Sequence, residues 1–172
     1  MGTYKTFNTE RLIIRPTSVQ DADFILELFN TPKWIKNIGD RNVHSIEMAK
    51  DYILNKMQPQ LERLGYSSYT IIRKSNKIKI GICGLYDREG LNGIDIGFAV
   101  LPEYEGKGFT FEAANKIKGA AFNDFGLKII YAITIKNNIS SQKLLDKLGL
   151  ELVGITKLPN ENKELLLYKI EK

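Results

Sequence analysis

The sequence predicts an α/β fold built on a mixed, mostly antiparallel central sheet of about seven strands flanked by helices. Two observations carry that expectation. Apolar strands and helical periodicities follow one another along the whole chain, which calls for a sheet with both faces covered. Between Tyr66 and Val100, three strand patterns are separated only by short polar turns, and so short a connection joins antiparallel neighbours.

The elements follow in order. Arg11–Arg15 alternates as a strand. Ser18 or Asp21 can cap a helix through Phe29, whose Phe24, Ile25, Leu28 and Phe29 share one face. Thr31-Pro32 ends it and opens a short turn through Trp34 and Ile38. Ser45 caps a single helix over Ile46–Arg63, with Ile46, Ala49, Tyr52, Ile53, Met57 and Leu61 at helical spacing, and Gly65 stops it. Strands are expected at Tyr66–Arg73, Ile78–Leu85 and Gly93–Val100. A helix over Phe109–Phe125, a strand over Lys128–Ile135 and a helix over Ser140–Leu148 come next. Leu150–Lys157 and Glu164–Ile170 close as a strand pair around Pro159-Asn160-Glu161-Asn162.

At 172 residues the chain suits one domain, 1–172, burying roughly 70% of its unfolded surface. No repeat, low-complexity tract, signal peptide or membrane-length apolar run is visible. The single cysteine, Cys83, excludes an intramolecular disulfide framework and fits a reducing, cytoplasmic location; its apolar strand context reads as a buried thiol. The net charge of +5 favours anionic partners. The lysines are scattered rather than clustered, so no direct nucleic-acid binding is expected. One histidine, His44, is too few for a metal site, and no metal is expected.

The chemistry gathers at residues 93–149. A strand, Asp95-Ile96-Gly97-Phe98-Ala99-Val100, leads into Glu105-Gly106-Lys107-Gly108-Phe109, and a helical pattern starts at once. Glycines permit unusual φ values and close backbone approach, and a helix start offers unpaired N–H groups, so this turn can cradle an anion. An ordinary tight turn would show the same Gly-Lys-Gly. Further on stands Asn138-Ile139-Ser140-Ser141-Gln142-Lys143-Leu144-Leu145-Asp146-Lys147-Leu148-Gly149-Leu150. With these segments, and with Thr9-Glu10-Arg11-Leu12-Ile13-Ile14-Arg15-Pro16 as a first strand, the chain resembles the GNAT acetyltransferase superfamily, in particular its ribosomal-protein N-terminal acetyltransferase branch. Gly106-Lys107-Gly108-Phe109 and Glu112-Ala113 match the branch's turn. Asn138, Ser141, Leu144, Leu145, Lys147, Leu148 and Gly149 match its later motif. The likeness spans about Thr9 to Ile170.

The resemblance implies a sheet splayed in the middle, with acetyl-coenzyme A as co-substrate wedged between the Gly93–Val100 and Lys128–Ile135 strands. It implies a pyrophosphate held by backbone amides of Glu105, Gly106, Lys107, Gly108, Phe109 and Thr110, with Lys107 able to reach a phosphate. Main-chain groups of Phe98 and Val100 would meet the pantetheine arm, with Asn138 and Ser141 on the far side. The turn departs from the family where Glu105 replaces Gln or Arg, Thr110 replaces Gly or Ala, and Phe111 replaces Thr. A carboxylate facing a pyrophosphate is unfavourable, so Glu105 is expected to point outward.

Asp95 is the candidate general base, because related enzymes often carry an acid two residues before the position of Gly97. An exposed strand carboxylate would leave the same trace. Alternation places Asp95 with Gly97 and Ala99, opposite Ile94, Ile96 and Phe98. Ser141 is the candidate acid for the departing thiolate, since Leu145 stands where many members place a tyrosine; its hydroxyl could equally bond its own helix. Trp34 and Tyr86 are candidate acceptor contacts, with Asp87, Arg88 and His44 nearby in sequence to the same walls.

The expected activity is direct N-acetyl transfer from acetyl-coenzyme A to a primary amine, an α-amine of a protein or peptide N-terminus. Acetylation of a small-molecule amine or polyamine is the alternative. From another class comes a non-catalytic acyl-coenzyme A-binding sensor or interaction module, and a domain with no coenzyme site is a third reading. Monomer and dimer both remain open.

Overall fold

A computed structural model describes residues 3–172. Its eight strands are β1 (Phe7–Asn8), β2 (Leu12–Pro16), β3 (Ser68–Arg73), β4 (Lys79–Asp87), β5 (Ile94–Val100), β6 (Ile129–Ile135), β7 (Glu151–Thr156) and β8 (Leu165–Glu171). They form one sheet in the order β1-β2-β3-β4-β5-β6-β8-β7. All neighbours are antiparallel except β5 and β6. That parallel step needs a crossover, and α5 (Phe109–Asn123) supplies it. The strand beyond the expected seven is β1, a two-residue pairing with β2 too short to show periodicity.

The remaining helices are α1 (Ala22–Phe29), α2 (Pro32–Asn37), α3 (Ile46–Tyr52), α4 (Gln58–Leu64) and α6 (Ile139–Leu148). Thr31 caps α2 by accepting from the Trp34 amide at 3.3 Å, and Ser45 caps α3 by accepting from the Met48 amide at 3.1 Å. The single helix expected over 46–63 is instead broken into α3 and α4 by a π-helical turn, Ile53–Met57. The cause is Pro59, which has no N–H to give and crowds the preceding turn; the wider turn absorbs it, leaving Pro59 in the first turn of α4. Asp21 does not cap α1 with its side chain. Its buried carboxylate instead takes two bonds from Arg15, both 2.8 Å, one from Lys79 at 2.8 Å and one from the Thr70 hydroxyl at 3.1 Å.

Two cores cover the two faces of the sheet. Phe24, Ile25, Leu28, Phe29, Trp34, Ala49, Ile53 and Met57 pack over Ile82 on one face. On the other, α5 lays Ala113, Ala114, Ile117, Ala120 and Ala121 against Leu12, Ile71, Cys83, Leu85 and Ile96. Alanine is a strong helix former, and its small side chain lets α5 lie close to the strands. Burial pushes the Cys83 thiol far above its ordinary value, so it stays a protonated packing group.

Candidate active site

β5 and β6 touch at one register point, Asp95 opposite Tyr131, and diverge beyond it. The phase of their neighbouring ladders shows what the divergence exposes. The Leu101 amide donates to the Ile80 carbonyl at 2.8 Å, directly across the β4–β5 register. Bonded and non-bonded positions alternate in an antiparallel pair. Phe98 and Val100 therefore turn their N–H and C=O groups away from β4, toward β6. Likewise the Lys172 amide donates to Lys128 at 3.0 Å, so Ile133 turns its main chain away from β8, toward β5. The two strands face each other across a wedge edged with main-chain groups that lack ladder partners. Buried backbone polar groups demand partners, and an arm carrying amides fits that demand.

A cavity of about 1010 Å³ occupies this wedge and opens over α2. Of the candidate residues, Phe98, Val100, Glu105, Gly106, Gly108, Thr110, Asn138, Ser141, Trp34, Tyr86 and Asp95 all line it. Lys107 and Phe109 do not. The Lys107 ammonium lies outside, 5.8 Å from the Tyr104 ring centre, and Phe109 is buried beneath Arg11. From these two residues only the main chain is available to the turn.

Gly106 and Gly108 both sit in the left-handed region, at φ 70° and 81°, and Gly108 is the N-cap of α5. Side-chain residues are strained there, which is why both are glycine. A Cβ on Gly106 would meet nothing within 4 Å, so the space above the turn is open for a ligand. Thr110 sits in the first turn of α5 beside free helix-start amides, where an anion is favoured. Glu105 lines the cavity instead of turning away from it, and its carboxylate is paired with Lys33 of α2 on the same wall.

A brace on this turn was missed by sequence reasoning. Glu112 accepts from the Thr9 hydroxyl at 2.6 Å, the Arg11 amide at 2.9 Å and Arg11 Nε at 2.7 Å. Arg11 Nη1 then donates to the Lys107 carbonyl at 3.0 Å, and the guanidinium lies 4.2 Å over the Phe109 ring. Burial alone would raise the Glu112 carboxyl, but the bonds from Thr9 and Arg11 outweigh it and hold it below its usual range. The signal was present in the matched Thr9-Glu10-Arg11 and Glu112 positions; what the residues do for one another emerges only in three dimensions.

Asp95 is 1% exposed, and its Oδ1 accepts from Arg88 Nε at 2.8 Å. Burial raises its carboxyl, the guanidinium opposes that only in part, and the result is a value of about 6. It is thus an internal, tuned carboxylate rather than an exposed strand acid. Its Arg88 partner comes from the loop after β4, a pairing that sequence spacing did not indicate. Asp87 turns outward to Arg63 at 2.8 Å and leaves the cavity wall. Tyr86 lies over Gly97, where a Cβ would come within 3.0 Å of its ring, and its hydroxyl donates to Ser68 Oγ at 3.4 Å. Trp34 stacks on Phe29 at 4.2 Å, and its buried indole N–H has no partner among the described residues. His44 is exposed, 4.0 Å from Asp40, and does not line the cavity.

On the far side, Asn138 caps α6 by accepting from the Ser141 amide through Oδ1 at 3.2 Å, which leaves its amide nitrogen as a donor. Ser141 is half-buried on the cavity wall, and its hydroxyl bonds no backbone group among the described residues. Leu145 is buried in the core. No cluster of metal ligands occurs among the described residues, and none of their helices is long and apolar enough to cross a membrane.

Comparison with known proteins agrees with this geometry. The acetyltransferase (GNAT) domain profile matches residues 11–151. The uncharacterized N-acetyltransferase YoaA of Bacillus subtilis strain 168 is 29% identical over 88% of this chain and 86% of its own length. The uncharacterized N-acetyltransferase p20 of Bacillus licheniformis is 30% identical over 88% and 85%. Among solved structures, RimL, a ribosomal L7/L12 alpha-N-protein acetyltransferase in complex with coenzyme A, superposes with a TM-score of 0.82 at 15% identity, covering 97% of this chain and 98% of that one. A chimera of the spermidine N-acetyltransferase SpeG from Vibrio cholerae gives 0.76 at 16%, covering 94% and 96%. With a splayed sheet, a glycine turn opening α5 and a profile match over most of its length, the chain belongs to the GNAT family and is an acyl-coenzyme A-dependent N-acetyltransferase.

Proposed function

We propose that the protein acetylates the α-amine of a peptide or protein N-terminus by direct transfer within this cleft, in the cytoplasm. Acetyl-coenzyme A, when bound, supplies the acetyl thioester. The amides of the Glu105–Thr110 turn would hold its pyrophosphate, and the free main-chain groups of Phe98, Val100 and Ile133, with the Asn138 amide nitrogen, would hold its pantetheine arm. Asp95 takes the proton from the acceptor's ammonium, directly or through one water, and Arg88 keeps that carboxylate oriented. Ser141 offers its hydroxyl proton at the opposite wall, where the departing sulfur gains negative charge. Tyr86 and Trp34 flank the amine's approach.

The observation that supports this reading is the burial of Asp95 at the vertex of the wedge, with its carboxyl raised to about 6. An α-amine has a reference pKa near 8 and a lysine near 10.4. Deprotonation at pH 7 costs roughly 1.4 kcal/mol for the first and roughly 4.6 kcal/mol for the second. One short carboxylate with no histidine on the cavity wall matches the easier task. RimL, of the same fold, is named for an alpha-N-protein substrate, while the SpeG neighbour is named for spermidine, so the fold alone does not choose. Coenzyme A release measured over a panel of N-terminal peptides, N-terminally blocked lysine peptides and polyamines tests the reading. Turnover confined to free α-amines is expected; polyamine or lysine turnover with inert α-amines would overturn it. Coenzyme binding with no turnover on any amine would favour the sensor instead.

A further inference from the structure

The cavity wall carries an imbalance of charge that the transfer chemistry does not use. On the face toward which Asp95 points, α2, the loop after it and the π-helical turn contribute Lys33, Lys36, Arg41 and Lys56, and β4's following loop contributes Arg88. The acids on that side are already matched: Asp95 by Arg88 and Glu105 by Lys33. Among the described residues, no carboxylate lies within 4.0 Å of Lys36, Arg41 or Lys56. The cavity's one further acid, Glu161, sits on the β7–β8 hairpin together with Lys163.

Three unmatched cations around one mouth serve no folding purpose visible in the structure. Lys36 and Lys56 are exposed and Arg41 is half-buried, so none is spent bridging core elements. Nor do they sit at the glycine turn, where the pyrophosphate would be held. A mouth of this sign attracts anions and repels a polycation, and it does so most strongly where the low-dielectric wall focuses the field.

We propose that Lys36, Arg41 and Lys56 select an acceptor bearing negative charge close to its amine: a peptide whose free α-amine is followed within its first few residues by Asp or Glu. This rests on the N-terminal reading above for the position of the amine, and it excludes polyamines as preferred acceptors. Acidic side chains meet the three cations, whereas basic residues at the same positions meet like charge and lose the approach.

The test uses three peptides that share an N-terminal alanine and differ at positions 2–4, carrying acidic, neutral or basic residues. Their binding to the coenzyme A-loaded protein is measured by calorimetry and their turnover by coenzyme A release. The acidic peptide is expected to bind about tenfold more tightly than the neutral one, and the basic peptide more weakly still, with the ranking compressed in high salt. Lys36→Gln, Arg41→Gln and Lys56→Gln together should remove the ranking. Lys77→Gln, Lys116→Gln and Lys128→Gln together, which change net charge equally at exposed sites outside the cavity, should keep it. Equal affinity for all three peptides, preference for the basic one, or a ranking that the control variant loses equally would overturn the proposal. Charge-ranked binding without α-amine turnover would leave it standing while removing the N-terminal reading; turnover of α-amines without ranking would do the reverse.

Discussion

Replacing Asp95 with asparagine keeps the size and shape of the side chain and still offers Arg88 an oxygen, but removes the proposed base. The magnitude follows from the carboxyl's raised value. Moving a proton from an α-ammonium, near 8, to an ordinary aspartate at 3.8 is uphill by about 4 pKa units; moving it to Asp95 at about 6 is uphill by about 2. Burial thus removes about 3 kcal/mol from the proton transfer, a factor on the order of a hundred, while leaving Asp95 about nine-tenths ionised at pH 7. Asp95→Asn should cost ten- to a hundredfold in turnover at neutral pH, and the loss should shrink as the amine deprotonates unaided. The acid limb of kcat/KM, expected near pH 6, should move toward the amine's own pKa near 8. Thermal melts separate the loss of the carboxylate from stability, because asparagine also leaves the Arg88 guanidinium without its counter-charge. The folded-state value lies above the unfolded one, so ionising Asp95 weakens the fold as pH rises through about 6, and asparagine is spared that cost. Rates measured from pH 5.5 to 9.5, with thermal melts alongside, decide the matter. An unmoved limb and unchanged turnover would strip Asp95 of its role.

Three further outcomes are expected. Gly106→Val or Gly108→Val should weaken coenzyme A binding at least tenfold, about 1.4 kcal/mol, because valine resists the positive φ both positions hold; calorimetry reads this directly. Asn138→Ala should raise the coenzyme Michaelis constant or lower turnover, since it removes both the α6 cap and the free amide donor; a change in melting temperature alone would mark the residue as structural. Asp21→Ala should destabilise the fold by about 3 kcal/mol, because Arg15 and Lys79 lose their shared partner. Burial raises the Asp21 carboxyl, but the bonds from Arg15 and Lys79 outweigh it and hold it well below its usual value. Its stabilisation is therefore complete above about pH 4 and lost as pH falls below that. The alanine variant's stability should be flatter across that acid range than the parent's, as followed by urea unfolding.

Much of the fold was legible because its elements carry strong local signals. Ser45, Gly65, Gly108 and Gly149 punctuate the helices, and apolar alternation marks the strands. The helix over 46–63 was misjudged where apolar spacing outvoted Pro59, whose missing N–H is a chemical fact that periodicity does not register. The two residues of β1 carry no pattern at all. At the site, the backbone positions were readable because glycines and helix starts announce them. Side-chain partnerships were not: Arg11 with Glu112, Arg88 with Asp95 and Lys33 with Glu105 join residues 101, 7 and 72 positions apart, and nothing local fixes such pairs. Asp95's burial was likewise invisible, because alternation gives a face but not what covers it.

On the proposed function, this cleft moves an acetyl group onto an α-amine. Its most direct test is incubation of the protein and acetyl-coenzyme A with a peptide that carries both a free N-terminal amine and an internal lysine, with the acetylated position located by fragmentation mass spectrometry. Acetyl is expected at the N-terminus, with the lysine left free and the product greatly reduced with Asp95→Asn. Acetyl on the lysine, or equal product from the Asp95→Asn protein, would contradict it.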